Sequence, residues 1–292
     1  MAKKTALVLS GGGAKGAFQL GAEKYAREEK NYHWDIIAGV SVGALNGVML
    51  AMEKFQALED TWNTISNDKV YTGGFNLISV IKLLLGAKSF YGNQPLQKLL
   101  AEQLEPEKIK ADLRIGSVSL INGDYVQFKK DSPNLAAAIL ASTAIPVIWE
   151  PVDVSPDYQA MVDGGVRNIS PIGDVLDSDP DEIMIINCSP LAADPLKDNL
   201  GDVVKIGLRA LDIAMNELFV SDMREFRRIN ELVQQAAAQG VTLYKPNGRP
   251  YKYFPCHIIE PDQPLTDTLD FSQPSIQRSI QIGREKARQV LG

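Results

Sequence analysis

Apolar positions along the chain fall into short runs broken by glycine-rich turns, alternating with longer stretches in which they recur every three or four residues. Residues 4–10 and 36–40 read as strands. Residues 181–188 read as another, and its continuous apolar run points to burial on both faces. Residues 14–30 and 44–55 read as helices, so the chain opens strand, turn, helix, strand, helix, which is an α/β beginning. Helical patterns follow at 57–66, 96–104 and 135–141. Residues 76–85 are apolar nearly all round, with only Asn76, Ser79 and Lys82 as a thin polar stripe. Such a helix is either buried or a lid whose apolar side lines an acyl-chain site.

Strands at 113–121 and 124–129 meet at Asn122-Gly123, a favoured hairpin turn, so the sheet is expected to be mixed. A short strand at 160–162 ends in Asp163-Gly164-Gly165. Residues 202–239 keep a helical period, as one helix or as two with a cap at Ser221. Lys205, Arg209, Arg224, Arg227 and Arg228 on this stretch read as solvated or structural charges. Residues 241–260 suggest paired strands around Pro246-Asn247-Gly248, and 272–291 a closing helix. No repeat or linker is evident. The expectation is a single domain over 1–292, with a motif core at about 4–190 and a helical and hairpin part at about 200–292.

Composition narrows the picture. With 45% hydrophobic residues the chain can bury a sizeable core. A net charge of −6 argues against a nucleic-acid partner and gives no help in binding anionic lipid. The N-terminal apolar run, residues 6–9, is too short for a secretory signal. Two long uncharged stretches, 36–52 and 132–149, contain a glycine-rich turn and two prolines respectively, and neither resembles a membrane span. Cys188 and Cys256 lack metal or redox spacing and read as free thiols. A cytoplasmic protein, or one peripheral to a membrane, is expected.

The chemistry centres on Gly39-Val40-Ser41-Val42-Gly43. This spacing between a strand and a helix suits a nucleophile elbow, in which one serine is held at a sharp turn. Gly39 and Gly43 let strand and helix backbones approach, and the helix N-terminus favours negative charge at Ser41. A plain glycine-rich turn is the competing reading. Upstream, Gly11-Gly12-Gly13-Ala14-Lys15-Gly16 matches a dinucleotide-binding spacing. That use needs an acidic residue ending the second strand, and Asp35 begins it instead. As an oxyanion hole, the same loop would meet the elbow at one edge of the sheet, which accounts for both motifs.

Only two histidines are present. His33 precedes the elbow strand and belongs at its far end, and His257 lies in a late apolar strand. Asp163 is the other candidate base: it closes a strand and is followed by two glycines. An ordinary aspartate is a weak base toward a hydroxyl, and desolvation with direct hydrogen bonding would be needed. A turn aspartate bonding its own backbone is the alternative.

Four blocks carry a family likeness: the glycine loop 11–16, the elbow 39–43, Ala141-Ser142-Thr143-Ala144-Ile145-Pro146, and Asp163-Gly164-Gly165. In this order they resemble the patatin-like phospholipases of bacterial type, with Thr143 where a second serine is frequent. The resemblance implies a three-layer α/β/α sandwich around a mostly parallel mixed sheet. It implies hydrolysis of fatty-acyl esters of lipids or phospholipids, of phospholipase A or lysophospholipase type, by a Ser-Asp dyad without histidine or cofactor. It makes Ser41 the nucleophile, Asp163 the base, and Gly11, Gly12, Gly13, Ala14 and Val42 the oxyanion cradle. Lys15, Gly39, Gly43, Gly164 and Gly165 are supporting residues, and no metal is implied. A lipid acyl ester is the expected substrate, with transient contact to a membrane surface through residues 75–85. A non-catalytic lipid- or protein-binding descendant, and a hydrolase of thioesters or peptides, are the alternatives.

Overall fold

A computed structural model describes residues 3–70, 72–73, 91–92, 94–191 and 203–292. Residues 75–85, read above as a buried helix or a lid, lie outside them. The chain begins with strand β1 (Thr5–Leu9), a 3-10 turn at Gly13–Lys15, and helix α1 (Gly16–Lys30). Strand β2 (Ile36–Val40) and helix α2 (Val42–Ala51) follow, then α3 (Phe55–Thr64), α4 (Asn67–Val70), a ribbon of β3 (Thr72–Gly73) with β4 (Tyr91–Gly92), and α5 (Gln94–Gln103). Next come β5 (Asp112–Ser119), β6 (Tyr125–Lys129), α6 (Leu135–Ser142), β7 (Met161–Asp163), α7 (Gly173–Leu176) and β8 (Glu182–Ile186). Helix α8 (Val203–Ala238), β9 (Cys256–Ile259) and α9 (Gln273–Leu291) close the chain.

The main sheet runs β6-β5-β2-β1-β8-β9 with β7 also on β5. The β5–β2, β2–β1, β1–β8 and β8–β9 pairs are parallel, and β6 and β7 are antiparallel to β5. Alternation along each strand divides the core in two. Leu7, Leu9, Ile37 and Ile115 pack beneath α1, α2 and α6, and Ala6, Val8, Ile36 and Ile183 face Phe219 and Met223 of α8. The fold is therefore a three-layer α/β/α sandwich on a mixed sheet. Helix α9 lies against α1 at a close crossing: a Cβ on Gly21 would stand 1.9 Å from the Ile280 carbonyl, and one on Gly283 2.0 Å from that of Phe18.

Three local expectations change. Residues 203–238 form one helix, and Ser221 caps nothing. Within 241–260 the pairing around Pro246-Asn247-Gly248 is short, a Tyr244–Pro250 bridge flanked by Lys245 N–H to Arg249 O and Tyr251 N–H to Leu243 O, and Cys256–Ile259 instead joins the main sheet parallel to β8. Strand β5 ends at Ser119 rather than 121: the Ser119 carbonyl accepts the Gly123 N–H at 2.9 Å and the hairpin turn begins there.

Candidate active site

The register of β5 brings the site together. Its first part, Asp112–Gly116, pairs with β2, the last pair being Val40 with Gly116. The next residue, Ser117, pairs with Asp163. Because β6 occupies the other edge of β5 at this level, β7 continues the row that β2 vacates. Ser41 turns out of the sheet at the place where Asp163 enters it, so the two are neighbours by strand register, though far apart in sequence.

Ser41 stands at the N-terminus of α2 with φ 57° and ψ −127°, a region that residues other than glycine rarely enter. The turn is this sharp because α2 folds back along β2. A Cβ on Gly39 would come within 2.2 Å of the Gly43 carbonyl, and one on Gly43 within 2.2 Å of that of Leu9. Ser142 of α6 holds the turn: its hydroxyl accepts the Ser41 N–H at 3.0 Å and donates to the Gly116 carbonyl at 2.7 Å.

Asp163 is 1% exposed. Its Oδ1 accepts the Gly165 N–H at 2.8 Å. Its Oδ2 is buried and accepts no hydrogen bond of ordinary geometry among the described residues. The carboxyl is raised from 3.8 to about 7: burial drives it up, and the Ser41 hydroxyl and Gly165 N–H offset part of that rise. The hydroxyl is thus close enough to act on the carboxyl without being aligned to it, as catalytic pairs commonly are before substrate arrives.

The glycine loop narrows the expected cradle. The Gly11 N–H is donated to Ile169 O and that of Ala14 to Thr268 O, both at 2.9 Å, so neither is available to a substrate oxygen. Those two residues are corrected from donors to anchors of the loop. The N–H groups of Gly12, Gly13 and Val42 meet no acceptor among the described residues. Gly13 is fixed by its surroundings, with φ 56° and a notional Cβ 2.2 Å from Thr268 O. Lys15 is buried and lines a chamber beside Ser41, and Gly164 packs on Gly116.

Two chambers meet at Ser41. A narrow one of about 100 Å³ runs between α2, α3 and α5 and is lined by Leu45, Met49, Leu58, Trp62 and Leu100. Its walls are apolar almost throughout. A wider one of about 540 Å³ reaches both Ser41 and Asp163 and carries Lys15, Arg209, Asp212 and Asn216 on its wall. Arg209, read from sequence as a solvated or structural charge, thus faces the site and pairs with Asp212 at 2.6 Å. Neither histidine belongs here. The carbonyl of His33 accepts the Thr5 hydroxyl, and the His257 imidazole meets Glu182 at 3.3 Å, both toward the opposite edge of the sheet. Among the described residues no cluster of three or more His, Cys, Asp or Glu could hold a metal, and no helix is long and apolar enough to cross a membrane.

Sequence reasoning missed Ser142, Ile169 and Thr268 as parts of the site. Ser142 lay inside a recognised block. The other two contribute backbone carbonyls, for which side-chain identity carries no signal.

A sequence model of the patatin-like phospholipase family matches residues 7–176, and the chain belongs to that family. Its general class is accordingly that of the lipid acyl hydrolases. Among solved structures, the chain is similar to VipD from Legionella pneumophila, with 13% identity over 100% of this chain and 67% of that one, at a TM-score of 0.49. It is also similar to a chain of the heterodimeric ExoU-SpcU complex from the type III secretion system of Pseudomonas aeruginosa, with 18% identity, 76% and 52% coverage, and a TM-score of 0.34. The chain thus spans about half to two thirds of those two chains. No curated protein matches it.

Proposed function

We propose that this protein is a serine acyl hydrolase in which Ser41 is the nucleophile and Asp163 its base. The observation that carries the reading is the meeting of a strained serine at a helix N-terminus with a buried carboxyl whose pKa is raised to about 7. A carboxylate of that basicity can take the hydroxyl proton near neutral pH, which an ordinary aspartate does poorly. As Ser41 Oγ attacks the ester carbonyl, the proton passes to Asp163. The oxyanion is received by the N–H groups of Gly12, Gly13 and Val42, and the positive end of α2 adds to their field. Collapse of the tetrahedral adduct returns the proton to the departing alcohol and leaves an acyl-serine. Water, deprotonated by Asp163, then releases the fatty acid.

The chambers divide the substrate. The narrow apolar one takes the acyl chain, and the wide one takes the alcohol and its polar headgroup. This favours phospholipase A or lysophospholipase chemistry on a lipid ester. The whole chain is read as one folding unit, since β9 and α9 complete the sheet and cover α1. The test is fatty-acid release from phospholipid, lysophospholipid and monoacylglycerol by the wild type and by Ser41→Ala. Release by wild type alone supports the reading, and equal release by both refutes it.

A further inference from the structure

Strand β5 runs on past the level of the dyad. Val40 pairs with Gly116, and three more residues follow before the turn, so the hairpin tip stands about 10 Å beyond the end of β2 on the edge where Ser41 lies. The tip presents Leu120 and Ile121, 53% and 69% exposed. Hairpin tips are ordinarily polar, and this one is no loose loop. The Leu120 N–H bonds to Ala160 O at 3.1 Å, that of Ile121 to Ser119 Oγ at 3.2 Å, and that of Gly123 to Ser119 O at 2.9 Å. Arg167 adds a bond to Gly123 O at 2.5 Å. Two large apolar side chains are therefore held out in water by a hydrogen-bonded turn. A third, Val147, is 42% exposed at φ 73°, in a loop whose Ile145 and Ile148 line the wide chamber. For a β-branched residue that backbone is strained.

We propose that Leu120, Ile121 and Val147 form the surface by which the protein settles on a zwitterionic phospholipid bilayer, with the wide chamber opening toward the lipid. Position and charge commit the surface to that occupant. It sits on the substrate edge of a lipid hydrolase, and the exposed charges around it, Asp124, Glu150 and Asp153 against Arg167, leave it net negative. Anionic lipid therefore gains nothing from it. The idea rests on the acyl-hydrolase reading only for the nature of the partner.

The test separates docking from chemistry. In a Ser41→Ala background, co-sedimentation with phosphatidylcholine vesicles is compared with and without Leu120→Ser and Ile121→Ser. Loss of two apolar anchors should weaken partitioning roughly tenfold or more. With Ser41 intact, the double variant should keep p-nitrophenyl butyrate hydrolysis within about twofold of wild type while vesicle hydrolysis falls in step with partitioning. Ile121→Trp should show a blue shift in emission, relative to wild type, on adding vesicles. Unchanged sedimentation overturns the proposal, as does an equal loss on the soluble ester, an emission spectrum of Ile121→Trp that vesicles leave unshifted, or a dimer that the double variant dissociates. A protein that hydrolyses no ester yet sediments through this tip would refute the acyl-hydrolase reading and leave the docking surface standing.

Discussion

The hydroxyl of Ser142 accepts the backbone N–H of Ser41 at 3.0 Å and donates its own O–H to the Gly116 carbonyl at 2.7 Å. One side chain thereby ties the elbow to β5, the strand against which β7 sets Asp163. Ser142→Ala leaves a buried N–H and a buried carbonyl without partners. It should cost about 1–3 kcal/mol of stability by denaturant titration. The kcat on a soluble ester should fall more than KM rises, since the change misplaces the reacting oxygen without altering the chambers.

The carboxyl of Asp163 gives activity and stability opposite dependences on pH. Its pKa is raised from 3.8 to about 7, so kcat/KM should climb through a midpoint near 7 and level off above it. A raised acid pKa means that the folded state holds its proton more tightly than the unfolded chain does. That contribution is complete below about pH 4 and is lost as pH rises through 7. Asp163→Asn should therefore abolish turnover and stabilise the fold at pH 8 by an amount on the order of 4 kcal/mol. Thermal and chemical denaturation at pH 4, 5 and 8 measure it: the gain should fall to less than half by pH 5 and nearly vanish below about pH 4.

On the acyl-hydrolase reading the narrow chamber should set acyl-chain length. Leu58 and Leu100 lie on its wall, and either residue changed to Trp should fill it. Hydrolysis of p-nitrophenyl palmitate should drop about tenfold or more, and that of the butyrate should stay within about twofold. Equal losses on both esters would place the acyl chain elsewhere.

The elbow glycines differ in kind from those at open positions. An added methyl at Gly43 would meet the Leu9 carbonyl at 2.2 Å, whereas one at Gly173 meets nothing within 4 Å. Gly43→Ala should destabilise by about 3 kcal/mol or more, or prevent folding. Gly173→Ala should lie within about 1 kcal/mol of wild type, on the stabilising side. Urea titration of the two variants compares them directly.

Much of this was legible from the chain. The apolar run of β8, the glycines flanking Ser41 and the Asn122-Gly123 turn each express a local rule, and the mixed sheet followed from them. The scarcity of histidine, with His33 placed at the far end of β2, pointed toward Asp163. What sequence could not supply was long-range backbone bonding. Gly11 and Ala14 look the same in sequence as Gly12 and Gly13, but Ile169 and Thr268 claim their N–H groups. The Tyr244 region carries hairpin signals, yet residues 256–259 are taken by the open edge of β8. Arg209 reads as a solvated or structural charge until α8 is seen to bring it to the chamber shared by Ser41 and Asp163.

The measurement that bears most directly on the Ser41–Asp163 pairing is intact-protein mass spectrometry after exposure to a fluorophosphonate, with the adduct mapped by peptide sequencing. A single adduct on Ser41, formed faster as pH rises through 7 and nearly absent in Asp163→Asn, is the predicted result. Labelling at another serine, or labelling of Ser41 at an undiminished rate in Asp163→Asn, would contradict the account.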